Sequence, residues 1–152
     1  MQTIKTYLFK SLISSDYALL LLRIGTWALL FYRHGAEKIF DYQRMVSVFL
    51  DPHPMGNFDP LGIGKIGSLW FAMFADSICS TLMLTGFFSR IAITFMLINI
   101  LVAHFLVFDG SINDHGELSL LYVVNISVIF LAGPGKISLD HYILNKNGRI
   151  LN

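Results

Sequence analysis

Four long apolar stretches constrain the fold of this chain more than any other feature. They cover residues 17–32, 66–88, 91–108 and 118–132. Each is close to the roughly 17 to 25 residues with which a helix crosses the hydrocarbon core of a bilayer. The chain is 55% hydrophobic, against about 45–50% for soluble globular chains, which argues against a water-soluble monomer. We therefore predict one all-α domain over 1–152, an integral membrane four-helix bundle with helices over about 17–34, 66–88, 91–108 and 117–133.

Nine charged or imidazole side chains lie within these stretches or at their ends. Arg23 and Asp76 lie inside two of the stretches. The seven at the ends are His34, Glu37, Lys38, Arg90, His104, His115 and Glu117. An ionisable group at membrane depth is costly unless it is paired or hydrated, so it marks a functional site by default. The candidate ligand-binding or charge-pair residues are Arg23, Asp76, His34, Lys38, Arg90, His104 and Glu117.

Helical spacing places several of these groups on two common stripes. The stripe on the first helix contains Arg23, Trp27, Leu30 and His34. The stripe on the third helix contains Arg90, Thr94, Leu97, Leu101 and His104. Because lipid cannot satisfy polar groups, both stripes are predicted to face the bundle interior.

Depth along antiparallel helices then suggests partners. An Arg23–Asp76 pair would stabilise both charges near mid-membrane, as a register-fixing contact or as part of a ligand site. At the outer end, four side chains are predicted to arrive at similar heights: His34, Lys38, His104 and Glu117. No HxxxH or tight cluster is present, so we predict interfacial hydrogen bonding there and no metal site. Arg90 fits a topology anchor at a helix end.

The distribution of Lys and Arg predicts that both termini are cytoplasmic. The N-terminal arm, the second connection and the tail carry them, whereas the connection 109–117 carries none. The first connection, 33–65, contains four and departs from this rule. Within it, 42–50 is predicted as a short interfacial helix, and the Pro/Gly-rich stretch 51–64 as a lid or a bare tether. A tight turn at 86–90 predicts a helical hairpin, and Ser138 is predicted to cap a tail helix through Leu144.

Charge and cysteine content exclude several classes of function. A net charge of +1 argues against a nucleic-acid partner, because neutralising phosphates needs a basic patch. The single cysteine, Cys79, can form neither an intrachain disulfide nor a CxxC redox pair. The sequence also contains no CxxCH and no GxGxxG motif.

Five short motifs resemble those of the DoxX family of small four-helix membrane proteins, in the same order along the chain. They are LRIG at 22–25, HGAEK at 34–38, LTGFFSR at 84–90, HGEL at 115–118 and GPGKISLD at 133–140. Two features depart from the family pattern. Asp76 stands where the family commonly carries glutamate, and the connection 51–64 is longer than usual.

The resemblance implies a function linked to quinones or redox stress, because named relatives include the small subunit of a thiosulfate:quinone oxidoreductase. Our first hypothesis is a multi-pass subunit of a redox system in the cell (inner) membrane. It would bind a quinone-like apolar carrier through Arg23 or His34, with Asp76 as proton acceptor, beside a partner oxidoreductase or in a homo-oligomer. The alternatives are a small proton or solute transporter or channel, and a non-catalytic assembly scaffold. Whether the chain is itself an enzyme stays open.

Overall fold

The computed structural model describes residues 14–50, 59–107, 110, 112 and 116–146, which form helices and no β-strand. Helix α1 runs through Ser15–Leu30, a π-helical turn at Phe31–Gly35, and Ala36–Phe40. Helix α2 is Tyr42–Leu50. Helix α3 joins Lys65–Met73, a π-helical turn at Phe74–Cys79, and Ser80–Thr85. Helix α4 joins Ser89–Val102 to a π-helical turn at Ala103–Val107, and helices α5 and α6 are Gly116–Ala132 and Leu139–Lys146.

The all-helical class is confirmed, and three of the four predicted long helices lie within three residues of their predicted bounds. The first helix is longer than predicted and continues to Phe40. The prediction stopped at His34 because the apolar run ends at Arg33 and His34, yet the following Ala36, Glu37 and Lys38 are good helix formers. Asp41, with φ −115° and ψ 44°, ends α1, and α2 coincides with the predicted helix 42–50.

The four long helices pack around one core. Helices α1 and α4 each contact both α3 and α5, so every long helix has two long neighbours. Among the described residues, the core cluster contains ten buried side chains: Leu30, Cys79, Met83, Ala92, Ile93, Met96, Ile100, Tyr122, Ile126 and Ile129. Large apolar side chains also point outward from all four helices, among them Leu21, Ile78, Ile91, Leu121 and Leu131. Apolar faces of this extent are typical of contact with lipid or with another protein.

Among the described residues, two helices are long and apolar enough to cross a membrane: Lys65–Thr85, with 21 residues, and Ser89–Leu106, with 18. Gly116–Ala132 is a shorter apolar helix. Together with the outward apolar faces, these helices indicate a membrane protein.

The predicted stripe on α4 is confirmed only in part. His104 is buried and Leu97 is half-buried, but Arg90, Thr94 and Leu101 are exposed. The buried face of α4 carries Ile93 and Met96 together with His104. Helix α4 is apolar nearly all round, so its few polar residues do not fix its rotation, and Arg90 at the helix start can reach water. On α1 the predicted stripe does face inward, since Arg23 and Leu30 are buried and Trp27 and His34 are half-buried.

At one end of the bundle, which we call the α6 end, the turn between α3 and α4 and the start of α6 form a compact joint. Gly86, with φ 70°, ends α3 in the left-handed conformation, and backbone N–H groups of Gly86 and Phe87 donate to Met83 O and Leu82 O, the pattern of a Schellman cap. The N–H of His141 donates to Ser138 Oγ at 3.2 Å, which confirms the predicted cap of the tail helix.

Asp140 ties this joint to α4. Its carboxylate accepts bonds from Phe88 N (2.9 Å), Ser89 N (3.2 Å) and Ser89 Oγ (3.0 Å). The N–H of Asp140 donates in turn to Gly86 O at 2.9 Å. A carboxylate at the first turn of a helix satisfies free N–H groups and is favoured by the helix dipole. The GPGKISLD motif therefore closes onto the LTGFFSR motif.

At the opposite end of the bundle, which we call the α2 end, Asp59 accepts hydrogen bonds that fix the start of α3. Gly64 N donates to Asp59 Oδ2 at 2.6 Å, and Ser68 Oγ donates to Asp59 Oδ1 at 2.7 Å. The hydrogen bond from the Ser68 hydroxyl is the main cause of the lowered pKa of Asp59, and partial desolvation acts in the opposite direction by raising that pKa. Of the predicted lid or tether at 51–64, residues 51–58 lie outside the described residues, as does His115.

Candidate functional site

Each of the four long helices contributes a polar or ionisable side chain to one layer of the bundle. His34 comes from α1, Asp76 from α3, Asn99 from α4 and Tyr122 from α5, and Lys38 reaches the same layer from the next turn of α1. We call these five residues the polar layer. Lys38 Nζ lies 2.5 Å from Asp76 Oδ2, and Asn99 Nδ2 donates to Asp76 Oδ1 at 2.9 Å. The His34 and Tyr122 rings meet edge to face, with centroids 6.1 Å apart.

The Lys38–Asp76 pair is the electrostatic centre of the polar layer. The side chains are only 16% and 7% exposed, respectively. Each carboxylate oxygen of Asp76 already accepts one hydrogen bond, from Lys38 or from Asn99. An ammonium carries three N–H donors, so Lys38 keeps two beyond the one that it gives to Asp76. His34 lies within electrostatic range of both members of the pair.

Two π-helical turns shape the polar layer. His34 and Gly35 lie in the π-helical turn of α1, and Asp76 and Ser77 in that of α3. A Cβ atom on Gly35 would lie 2.9 Å from both Asp76 O and Ser77 Oγ, so the two helices lie in close contact here. Single π-helical turns within α-helices are frequent at functional sites. Here they bring the backbones together at the level of the Asp76 carboxylate.

Hydroxyl groups donate hydrogen bonds to two carbonyls of the π-helical turn of α3. Ser80 Oγ donates to Asp76 O at 2.5 Å, and Thr81 Oγ1 donates to Ser77 O at 2.8 Å. Trp27 Nε1 on α1 donates to Thr81 Oγ1 at 3.2 Å. The irregular turn is thus held by side chains of its own helix and by one contact from α1.

The predicted Arg23–Asp76 pair is wrong. Arg23 is fully buried, and its guanidinium donates to backbone carbonyls, Nη1 to Leu84 O at 3.2 Å and Nη2 to Ile137 O at 2.5 Å. Asp76 lies eight residues before Leu84 on α3, about 12 Å away along the helix axis. The Asp76 carboxylate is therefore beyond the reach of the Arg23 side chain. Arg23 instead caps the C-terminal end of α3, where a cation is favourable.

The four residues of the predicted outer cluster lie in three different places. Lys38 and His34 lie in the polar layer, whereas His104 Nδ1 lies 2.7 Å from Ser119 Oγ and joins α4 to α5. Ser119 Oγ donates to Gly116 O at 2.7 Å, so His104 Nδ1–H serves as the donor to the serine oxygen. Glu117 is exposed in the first turn of α5. Within the described ranges, no group of three or more His, Cys, Asp or Glu side chains could hold a metal ion.

Asn99 and Tyr122 are site residues that the sequence reasoning missed. Asn99 interrupts the apolar run LINI at 97–100. An amide inside a membrane helix needs a hydrogen-bond partner, as a carboxylate does. The criterion that singled out Asp76 therefore also applies to Asn99. Tyr122 carries no comparable signal, since an aromatic residue in an apolar helix most often serves packing.

An aromatic wall borders the polar layer between α3 and α4. The Phe95 ring meets those of Phe74 and Phe71 edge to face, with centroids 5.6 and 6.2 Å apart. Phe95 precedes Asn99 by one helical turn, so these two side chains lie on the same side of α4. Phe74 is 38% exposed on the outside of the bundle. Donor groups beside aromatic rings that reach the surface can bind a flat ring compound bearing hydrogen-bond acceptors.

Comparison with known proteins gives one match. The model of the DoxX family matches residues 18–109, which is more than half of the chain and includes Arg23, Lys38, Asp76 and Asn99. No curated protein and no solved structure matches significantly. The motifs at 115–118 and 133–140 lie beyond the matched range, and the second of them closes the joint at the α6 end. The chain therefore belongs to the DoxX family.

Proposed function

We propose that the chain is a multi-pass protein of the cell (inner) membrane that serves as a subunit of a redox system. In this proposal the polar layer binds a quinone-like apolar carrier beside a partner oxidoreductase. The observation that carries it is the buried Lys38 ammonium, which is paired with Asp76 inside an apolar bundle. Phe95, one helical turn before Asn99, belongs to an aromatic cluster that reaches the bundle surface at Phe74.

In the proposed arrangement α1, α3, α4 and α5 cross the bilayer with both termini on the cytoplasmic side. The apolar outward faces of these four helices support this placement. Helix α2 then lies along the outer interface. Trp70 Nε1 donates to Tyr42 OH at 3.2 Å at the junction of α2 and α3, and Trp and Tyr are enriched at such interfaces. The polar layer would lie about 9 Å below Phe40, at 1.5 Å per residue along α1.

The structure changes the proposed roles of individual residues. The Arg23 guanidinium is hydrogen-bonded within the joint at the α6 end. Lys38 is therefore the donor to a carbonyl oxygen of the carrier. Asp76, held by Asn99, positions the ammonium. The ring of the carrier would pack against Phe74 and Phe95, and its apolar tail would extend into lipid. The sequence carries no haem-attachment, dinucleotide or cysteine-pair motif, so a partner oxidoreductase supplies the electrons.

Quinone binding to the purified protein in nanodiscs tests the proposal. A short-chain ubiquinone analogue should quench the tryptophan fluorescence with a saturable dependence on concentration. The double variant Lys38→Met/Asp76→Leu removes both charges without leaving either one unpaired, and it should weaken binding about tenfold or more. Arg90→Gln alters an exposed cation far from the polar layer and is the matched control.

Unchanged quinone affinity in the double variant would refute the binding mode. A loss of affinity in Arg90→Gln of the same size would show that the effect is not local to the polar layer. Proton flux into liposomes that depends on Asp76, without quinone binding, would favour a transporter instead. Chemical crosslinking in native membranes then identifies the partner, and an oxidoreductase crosslinked beside α3 and α4 would support the subunit role.

A further inference from the structure

A second group of buried polar atoms lies near the α6 end, away from the polar layer. Arg23 and Thr26 on the inward face of α1 are 0% and 3% exposed. Arg23 Nε and Thr26 Oγ1 are both buried without a hydrogen-bond partner among the described residues. Arg23 precedes His34 by eleven residues, or about 16 Å along α1. The two sites are therefore separate.

The charge of Arg23 has no anionic partner within the part of the chain that the structure describes. Arg23 takes no part in the ion pairs formed by Lys38 and Arg44. Both hydrogen bonds of the Arg23 guanidinium go to neutral carbonyls, and a helix C-terminus offers only about half of a negative charge. A buried cation is normally matched by a full countercharge because desolvation penalises an isolated ion strongly.

Thr26 differs from the other threonines in the described helices. Thr81, Thr85 and Thr94 each donate to the carbonyl four residues earlier, at 2.8, 3.2 and 2.8 Å. This is the usual bond of a threonine inside a helix. The Thr26 hydroxyl makes no such bond although it is buried. It is therefore available to donate to an acceptor that is not part of α1.

We propose that Arg23 and Thr26 bind a small monovalent anion of halide size. Residues three apart lie on the same helix face, so Nε–H and Oγ1–H can donate to one acceptor placed between them. The guanidinium supplies the positive charge. Close packing of Gly86, where a Cβ would lie 2.6 Å from Arg23 Nη1, leaves no room for a lipid headgroup beside Nη1. The bound anion would neutralise Arg23 where α1, α3 and the segment before α6 meet.

Bromide quenching of a nearby tryptophan tests this proposal directly. The chain has two tryptophans, and Trp27 follows Thr26 directly and lies one turn from Arg23. In the Trp70→Phe background, Trp27 is the only fluorophore of its kind. We expect saturable bromide quenching at constant ionic strength, with chloride competing and gluconate having no effect. Bromide should also raise the melting temperature, because it binds the folded state.

Thr26→Val keeps the shape of the side chain and removes the donor. In the Trp70→Phe background it should weaken bromide binding about tenfold or more. The matched control is Thr94→Val, which alters an exposed threonine on α4 and should leave the quenching curve unchanged. Quenching that rises linearly with bromide and is equal in both variants would overturn the proposal. An equal loss of stability of Thr26→Val in chloride and in gluconate would also overturn the proposal, because Arg23 Nε and Thr26 Oγ1 would then bind an internal water and not an anion.

Discussion

Replacing Lys38 with methionine should destabilise the protein more than replacing Asp76 with asparagine, although both variants break the same pair. Lys38→Met leaves the Asp76 carboxylate buried in an apolar layer without its cationic partner, with Asn99 as its remaining donor. Asp76→Asn instead leaves an ammonium on a flexible stem two residues before Phe40, the end of α1. Such a side chain can extend toward the end of the bundle and recover hydration.

The expected magnitudes follow from burial. Removing one partner of a buried ion pair costs about 3–5 kcal/mol. Because Lys38 is 16% exposed, we expect about 3 kcal/mol for Lys38→Met, at the lower end of that range. For Asp76→Asn we expect about 1 kcal/mol, the cost of a lost hydrogen bond. The double variant Lys38→Met/Asp76→Asn leaves no buried charge, so it should be more stable than Lys38→Met alone.

The free energy of unfolding can be measured by titrating SDS into mixed micelles and following tryptophan fluorescence. Arg44→Met is the matched control. Arg44 lies 3.9 Å from Glu37 and 3.7 Å from Asp41 in an exposed network, and its removal should cost less than about 1 kcal/mol. A double variant less stable than Lys38→Met would refute the argument. So would a cost for Lys38→Met no larger than that for Arg44→Met.

Three further predictions concern packing, capping and titration. Gly35→Ala should lower the free energy of unfolding by about 1–3 kcal/mol, because its Cβ would lie 2.9 Å from atoms of α3. Gly25→Ala, with nothing within 4 Å of its Cβ, should be neutral or stabilising in the same SDS titration. Asp140→Ala should cost about 1–2 kcal/mol because the first N–H groups of α4 lose their cap, and an unchanged melting temperature would contradict this. Ser68→Ala should raise the pKa of Asp59 toward its ordinary value, measured by carbon NMR of the carboxylate. Since that pKa is lowered in the folded state, the associated stabilisation is present at neutral pH and is lost as the pH falls through the folded-state pKa. An unchanged titration of Asp59 in Ser68→Ala would show that the Ser68 hydroxyl does not cause the lowered pKa.

The sequence allowed the helices to be placed because their boundaries depend on local chemistry. The length of each apolar stretch, the glycine that ends α3 and the Gly133–Gly135 stop after α5 all act within a few residues. The extension of α1 to Phe40 was missed for a physical reason. Hydropathy falls at His34, but the following turn is stabilised by a distant contact, since Lys38 reaches Asp76 on α3.

The partners of the ionisable residues could not be predicted in the same way. Asp76 was predicted to pair with Arg23, and Lys38 to lie in the outer cluster, but the register of α1 on α3 brings Lys38 to Asp76 instead. The close approach at Gly35 sets that register. The rotation of α4 was also undetermined, because a helix that is apolar nearly all round carries no strong preference for one face.

By itself, the amino-acid sequence determined that this protein is helical, that its helices are long and apolar, and which few polar residues must find partners inside them. These properties follow from side-chain chemistry and from spacing along one chain. Tertiary structure alone decided that Asp76 pairs with Lys38 and Asn99, and that Arg23 closes the joint at the α6 end. A hydrogen bond between helices depends on a few ångströms of relative translation and rotation, and these are set by the packing of all four helices together.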